Sequence, residues 1–158
     1  MRVLFQREFF RAFFAEALPL IERHKAEIAH YPDIELDVDT EKYELSEKQE
    51  TLRVYTARLN KGASSPLTLI GYALFFVGPS PHYKGSIQAV EDVLYVDPEQ
   101  RQGRVGLDLI RYTEAELRRE GVQAVYHHVK ITHPALGILL AREGYEHIDS
   151  IYGKRLDR

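Results

Sequence analysis

Between Val93 and Leu107 the chain reads Val-Leu-Tyr-Val-Asp-Pro-Glu-Gln-Arg-Gln-Gly-Arg-Val-Gly-Leu. An apolar run passes into a polar turn that carries Arg101, Gly103, Arg104 and Gly106, and an amphipathic segment follows. A glycine-bearing turn at a helix start presents several backbone N–H groups at one point. Those donors and the helix dipole favour a bound anion, above all a phosphate. Glycine keeps the approach to the backbone clear, and the two arginines add charge-assisted donors. The chemistry suggested is recognition of a phosphorylated ligand. No Gly-Lys-Ser/Thr follows, so this is not a Walker turn, and the first glycine of a dinucleotide fingerprint is missing. An ordinary strand-to-helix turn carries the same glycines, so the surrounding elements decide.

Two further groups could move protons. Glu91 and Asp92 are adjacent carboxylates inside an otherwise apolar stretch, so strand alternation sends one to each side. Asp92 shares parity with Leu94 and Val96, and Glu91 is expected at a solvated edge. Downstream, alternation places Tyr126, His128 and Lys130 on one face and His127 on the other. An imidazole exchanges protons near neutrality, which suits a general base. His128 is equally readable as a hydrogen-bonded sheet histidine.

The elements that position these groups alternate between strand and helix. Arg11 to Ala29 carries Phe14, Leu18, Ile21 and Ile28 at helical spacing, with Pro19 as a kink or division point. The acidic stretch from Pro32 to Glu50 holds a loop and a short helix. Strands are expected over Leu52–Leu59, Leu67–Val77 and Ser86–Val96, with a loop at Gly78–Gly85. A helix over Val105–Glu120 ends at Gly121, and a strand runs from Val122 to Lys130. Pro134 opens a helix to Arg142, and Tyr145–Leu156 supplies one or two last strands. The order implies an α/β (α+β) chain, a mixed, mostly antiparallel central sheet of about six to seven strands flanked by helices.

Composition limits the function. The 158 residues suit a single domain, 1–158, and 44% hydrophobic with 28% charged content is ordinary for a globular protein. A net charge of −3 argues against nonspecific nucleic-acid binding. No apolar run has the length of a membrane span. The absence of cysteine removes disulfides, thiolate zinc sites and a cysteine acyl-enzyme, and it fits a cytoplasmic location. His30, His82 and His128 show no ligand spacing, so no metal is expected.

The stretch Leu94-Tyr95-Val96-x-Pro98-Glu99-x-Arg101-x-Gly103-x-x-Gly106 resembles the acyl-CoA-binding motif of the GNAT superfamily of N-acetyltransferases, usually written Arg/Gln-x-x-Gly-x-Gly/Ala. Arg101 and Gly106 take its first and last places, Arg104 stands where the middle glycine is usual, and Gly103 falls one place early. Gly121-Val122, the run Ala124–Lys130 and the turn Glu143-Gly144-Tyr145 resemble the strand, helix and turn that follow in the same family. The likeness is good over about residues 67–156, and the first third is similar to short members found in phage genomes.

The resemblance implies the GNAT fold and transfer of an acetyl group from acetyl-CoA, as cosubstrate, to an amine by direct attack in a ternary complex. It implies donor-binding residues Leu94, Val96, Arg101, Gln102, Gly103, Arg104, Val105, Gly106 and His133. It makes His128 the base, with Asp92 as rival. Leu140 falls where many members carry a proton-donating tyrosine, so Tyr152, Tyr145 or water stands in, Tyr145 reading rather as packing. His30, Tyr31 and Asp33, with His82 and Tyr83, fall in regions that line the acceptor cleft of that fold. The acceptor is a small molecule, a peptide or a protein, without nucleic-acid or membrane partners, and a homodimer is compatible. The competing reading is a degenerate domain that binds CoA or a protein partner, favoured by Arg104 and Leu140.

Overall fold

The computed structural model describes residues 2–62 and 65–157, in two compact units, Met1–His128 and Val129–Arg158. The first unit contains β1 (Arg2–Glu8), α1 (Phe10–Ile28), α2 (Thr40–Lys48), β2 (Leu52–Asn60), β3 (Thr68–Ser80), β4 (Tyr83–Val96), α3 (Val105–Arg119) and β5 (Ala124–Tyr126). The second contains α4 (Pro134–Arg142). The sheet order is β1-β2-β3-β4-β5, with antiparallel pairing up to β4 and a parallel β4–β5 pair. A parallel neighbour needs a crossover, and α3 provides it.

Helices cover both faces of the sheet, as expected. Phe10, Phe13, Ala17, Leu20 and His24 recur every three or four residues and bury one stripe of α1. That stripe lies on Leu52, Val54, Leu69, Tyr72, Leu74 and Tyr95. On the opposite face, Leu109 and Leu117 of α3 meet Tyr55, Ala73, Phe75, Val77, Ala89 and Val96. Pro19 does not divide α1. Pro19 and Ala15, whose carbonyl its missing N–H would have bonded, both lie exposed, where water can take the carbonyl.

Several boundaries differ from the expected ones. β1 is an additional strand, paired from Arg2↔Asn60 to Glu8↔Val54. The expected loop at 78–85 is mostly hairpin, because β3 runs to Ser80 and β4 begins at Tyr83. β5 keeps only three residues of the expected nine-residue strand. Residues 145–157 contain no strand. Ile148, Ile151, Tyr152 and Leu156 are 66–95% exposed there, so their spacing buries nothing that would favour a ladder. The described sheet therefore has five strands.

Candidate active site

The site is built around an irregularity in β4. Phe75 pairs with Glu91 but Leu74 pairs with Val93, so Asp92 is an extra residue opposite no partner. Such a bulge shifts the side-chain alternation. Val93 and Tyr95 consequently belong to the α1 side, and Leu94 and Val96 to the α3 side. Glu91 turns to the α3 side and is 4% exposed, which corrects the expectation of a solvated edge. Asp92 leaves the parity of Leu94 and Val96 and goes to the α1 side, where its Oδ2 accepts a 2.6 Å hydrogen bond from the Tyr43 hydroxyl. Burial, then the bond and charge of Asp92, hold that hydroxyl well above the usual phenol range, so it remains a donor.

Glu91 does not lie alone. His127 Nδ1 is hydrogen-bonded to Glu91 Oε2, and the two side chains are 1% and 5% exposed. The His127 ring stands edge-on to Phe75, 5.6 Å between centroids. A buried carboxylate is tolerated only with such a partner. His128, the next residue, is exposed. Sequence reasoning favoured Asp92 and His128 for the chemistry, set Glu91 at a solvated edge and placed His127 on the opposite face from His128. The signal available was a carboxylate and a histidine within apolar strands. Their meeting depends on the bulge.

Beyond Glu91 the strands part. Pairing of β4 with β5 ends at Val90↔Tyr126. At the end of β4, the Asp97 N–H bonds Ile70 O of β3 at 2.8 Å. Alternate residues point the other way, so the backbone groups of Leu94 and Val96 turn toward the edge that β5 has left. Val96 O accepts from Arg101 Nε at 2.8 Å. The fork is thus bounded on one side by strand backbone with no strand opposite it.

The phosphate-type turn follows directly. Pro98–Gln100 forms one 3-10 turn, with Asp97 accepting from the Glu99 N–H at 3.2 Å. Gly103 has φ +113°, a conformation that a side chain would strain. The Asp108 N–H bonds Arg104 O at 2.7 Å, the first helical bond of α3. Among the described residues, no backbone N–H from Gln102 to Leu107 meets a protein acceptor. A Cβ added to Gly106 would lie 4.0 Å from Val96 Cγ2, so α3 starts against the end of β4. Arg101 forks onto Glu27 of α1, Nη1 and Nη2 each 2.6 Å from a carboxylate oxygen. That bonding comes first among the causes that raise its already high pKa. Arg104 is 66% exposed and, among the described residues, reaches only Asp108, at 3.4 Å.

The expected acceptor residues lie on separate segments. His30 and Tyr31 follow α1 with their rings edge-to-face at 4.6 Å, and Asp33 is exposed just beyond. His82 sits at the tip of the β3–β4 hairpin, and Tyr83, 68% exposed, begins β4. A groove of about 540 Å³ lies between α1 and the 35–40 segment, floored by Phe14, Leu18, Leu36 and Val38 and edged by Glu22 and Asp37. In the second unit, His133 precedes α4, 3.0 Å from the Thr132 hydroxyl, and Tyr152 is 95% exposed. Leu140 is 5% exposed within α4. Among the described residues, no three His, Asp or Glu groups stand together as a metal site. No described helix is long and apolar enough to cross a membrane.

Comparison with known proteins identifies the family and the fold. A family model described as "Acetyltransferase (GNAT) family" matches residues 8–143. No curated protein matches the sequence. Among solved structures, a ribosomal-protein-alanine N-acetyltransferase from Brucella melitensis biovar Abortus 2308 superposes with a TM-score of 0.71 at 17% identity, covering 98% of this chain and 99% of its own. An aminoglycoside acetyltransferase from an uncultured soil metagenomic sample, in complex with sisomicin, gives 0.71 at 16% identity, over 97% and 96% of the two chains. A protein from Clostridium acetobutylicum described as a predicted acetyltransferase, solved with acetyl-CoA, gives 0.70 at 12% identity, over 98% and 97%. At these identities the structures establish a shared fold.

Proposed function

The chain belongs to the acetyltransferase (GNAT) family, and from that premise we propose that it transfers an acetyl group from acetyl-CoA to a primary amine within one ternary complex. The observation that carries this reading is the fork of β4 and β5 standing beside a turn whose backbone N–H groups have no protein acceptor among the described residues. A diphosphate with an extended amide-bearing arm suits both parts. The N–H groups of 102–107 take the phosphates. The open backbone of Leu94 and the Val96 N–H pair with the arm as an added strand would. Bound acetyl-CoA supplies the acyl group as a thioester.

This chain's residues then have three tasks. The amine must lose a proton, the acyl oxygen needs hydrogen-bond donors, and the departing sulfur needs a proton. His128, two residues beyond β5, is the proposed base, with Asp92 at the bulge as its rival. Tyr152 is the proposed proton donor, and His133 a donor-side contact. His30, Tyr31, Asp33, His82 and Tyr83 are proposed for the acceptor side. Two structural neighbours are named for a ribosomal-protein alanine and an aminoglycoside, which supports an amine acceptor without choosing one.

Calorimetric titration with acetyl-CoA, with CoA and ATP alongside, tests the proposal. Saturable one-to-one binding of both CoA forms but not ATP is expected. Absence of binding to either CoA form would refute the donor site and leave a family fold without its cosubstrate.

A further inference from the structure

Resting on the reading of the 101–106 turn as the phosphate site, we propose that Arg104 is the cation that meets the donor's phosphates. Arg101, held by Glu27, is instead the clasp that shapes the turn. The two arginines stand three residues apart in one turn, yet the fold commits them differently. Arg101 has all three guanidinium nitrogens engaged by protein: Nε by Val96 O at 2.8 Å, and Nη1 and Nη2 by Glu27 at 2.6 Å each. Two parallel charge-assisted bonds on a planar fork are the strong form of this interaction. Its guanidinium carbon also lies 5.4 Å from the centroid of the buried Tyr95 ring.

A second tie supports the clasp. One helical turn earlier on α1, Arg23 Nη2 lies 2.9 Å from Asp97 Oδ2, and Asp97 caps the 98–100 turn. Both ends of that short turn are therefore pinned to α1. A phosphate seeking Arg101 must displace the Glu27 carboxylate and then sit beside it, like charge against like charge. It must also loosen the bond to Val96 that closes the turn.

Arg104 meets none of these obstacles. It occupies the N-cap position of α3, next to the N–H groups without acceptors, and is 66% exposed. Its pair with Asp108 is 3.4 Å long and solvated, an arrangement that holds a side chain weakly. Swinging Arg104 onto a phosphate costs little, and the phosphate gains a donor of fixed charge. The residue that departs from the glycine pattern thereby supplies the charge that Arg101 cannot.

The test measures CoA affinity by calorimetry, at two salt concentrations, for wild type, Arg104→Ala and Glu27→Gln, with thermal melts of the ligand-free proteins. Arg104→Ala is expected to weaken CoA by on the order of tenfold, to flatten the salt dependence, and to melt like wild type. Glu27→Gln frees Arg101, and is expected to melt earlier and to bind CoA no more tightly than wild type. Unchanged affinity in Arg104→Ala, or tighter binding in Glu27→Gln, would overturn the assignment while the donor site stands. Failure of wild type to bind CoA would overturn the donor site itself, and this assignment with it.

Discussion

Gly71→Ala, set against Gly78→Ala, tests whether the end of β4 is held as tightly as the fork requires. Both glycines lie in β3, and neither has the left-handed backbone that glycine alone tolerates. Their surroundings differ. A Cβ at Gly71 would stand 2.9 Å from Tyr95 O, 3.1 Å from Val96 Cγ2 and 3.4 Å from Val96 Cα. The first and last of these are backbone atoms of the paired strand, which cannot rotate aside, so β4 itself must shift. Overpacking of this kind costs about 1–3 kcal/mol. At about 2–4 °C per kcal/mol for chains of this length, Tm should fall by roughly 2–12 °C. A Cβ at Gly78 meets nothing within 4 Å. Alanine there restricts the unfolded chain and should be neutral or stabilise by about 0.4–1 kcal/mol. Because Val96 closes the phosphate-type turn through Arg101, Gly71→Ala should also weaken CoA at a temperature where the variant is fully folded. Thermal melts and calorimetry on the two variants decide the matter. Equal melting of the two would refute the claim that β3 and the end of β4 are in unyielding contact. Normal CoA affinity in a destabilised Gly71→Ala would separate the packing from the site.

Other perturbations probe the scaffold and the chemistry. The Arg58 side chain, 7% exposed, forks onto Glu8 at 2.6 and 2.9 Å, and Glu8 is itself 10% exposed. Burial pushes the Glu8 carboxyl up, but bonds from Arg58, Thr56 and Gln6 and the Arg58 charge outweigh it and leave it below its ordinary value of 4.5. A lowered carboxyl stabilises the fold above its unfolded pKa, so this contribution is full near neutrality and is lost as pH falls below about 4.5. Arg58→Met strands the carboxylate and should cost about 3 kcal/mol near neutral pH. That deficit should shrink in acid, where Glu8 takes a proton; a pH-independent deficit in urea melts would contradict the sign. His128→Ala should lower kcat by roughly 10²–10⁴-fold with CoA affinity unchanged, and full turnover would remove His128 as base in favour of Asp92. Gly106→Asp should weaken CoA by crowding and repelling its phosphates, and unchanged affinity would mean that the turn does not hold them.

Local pattern revealed much of this molecule, and the failures share one cause. The helices α1 and α3 and the glycine turn were readable because each is set by residues within a few positions of one another, although the buried stripe of α1 is Phe10, Phe13, Ala17, Leu20 and His24 and not Phe14, Leu18, Ile21 and Ile28. The ladder of β1 was not, since Arg2–Glu8 alternates weakly and its partner begins some fifty residues on, at Leu52. Pro79 and Pro81 pointed to a loop, although Pro79 pairs with Ile87 near the tip of the hairpin, past the last β2–β3 pair, where a missing donor is tolerated. Tyr145–Leu156 was expected to supply one or two strands, which the described residues do not form. At the site, Arg101 was visible but its partner Glu27 was 74 positions away, so its commitment was not. The carboxylates of β4 show the limit most sharply. Alternation counted back from Val96 and Leu94 sends Asp92 to the α3 side and Glu91 away from it. One unpaired residue reverses this, burying Glu91 against His127 and handing Asp92 to Tyr43. Periodicity cannot register the exchange, because alternation is correct on both sides of the bulge and fails only where they join.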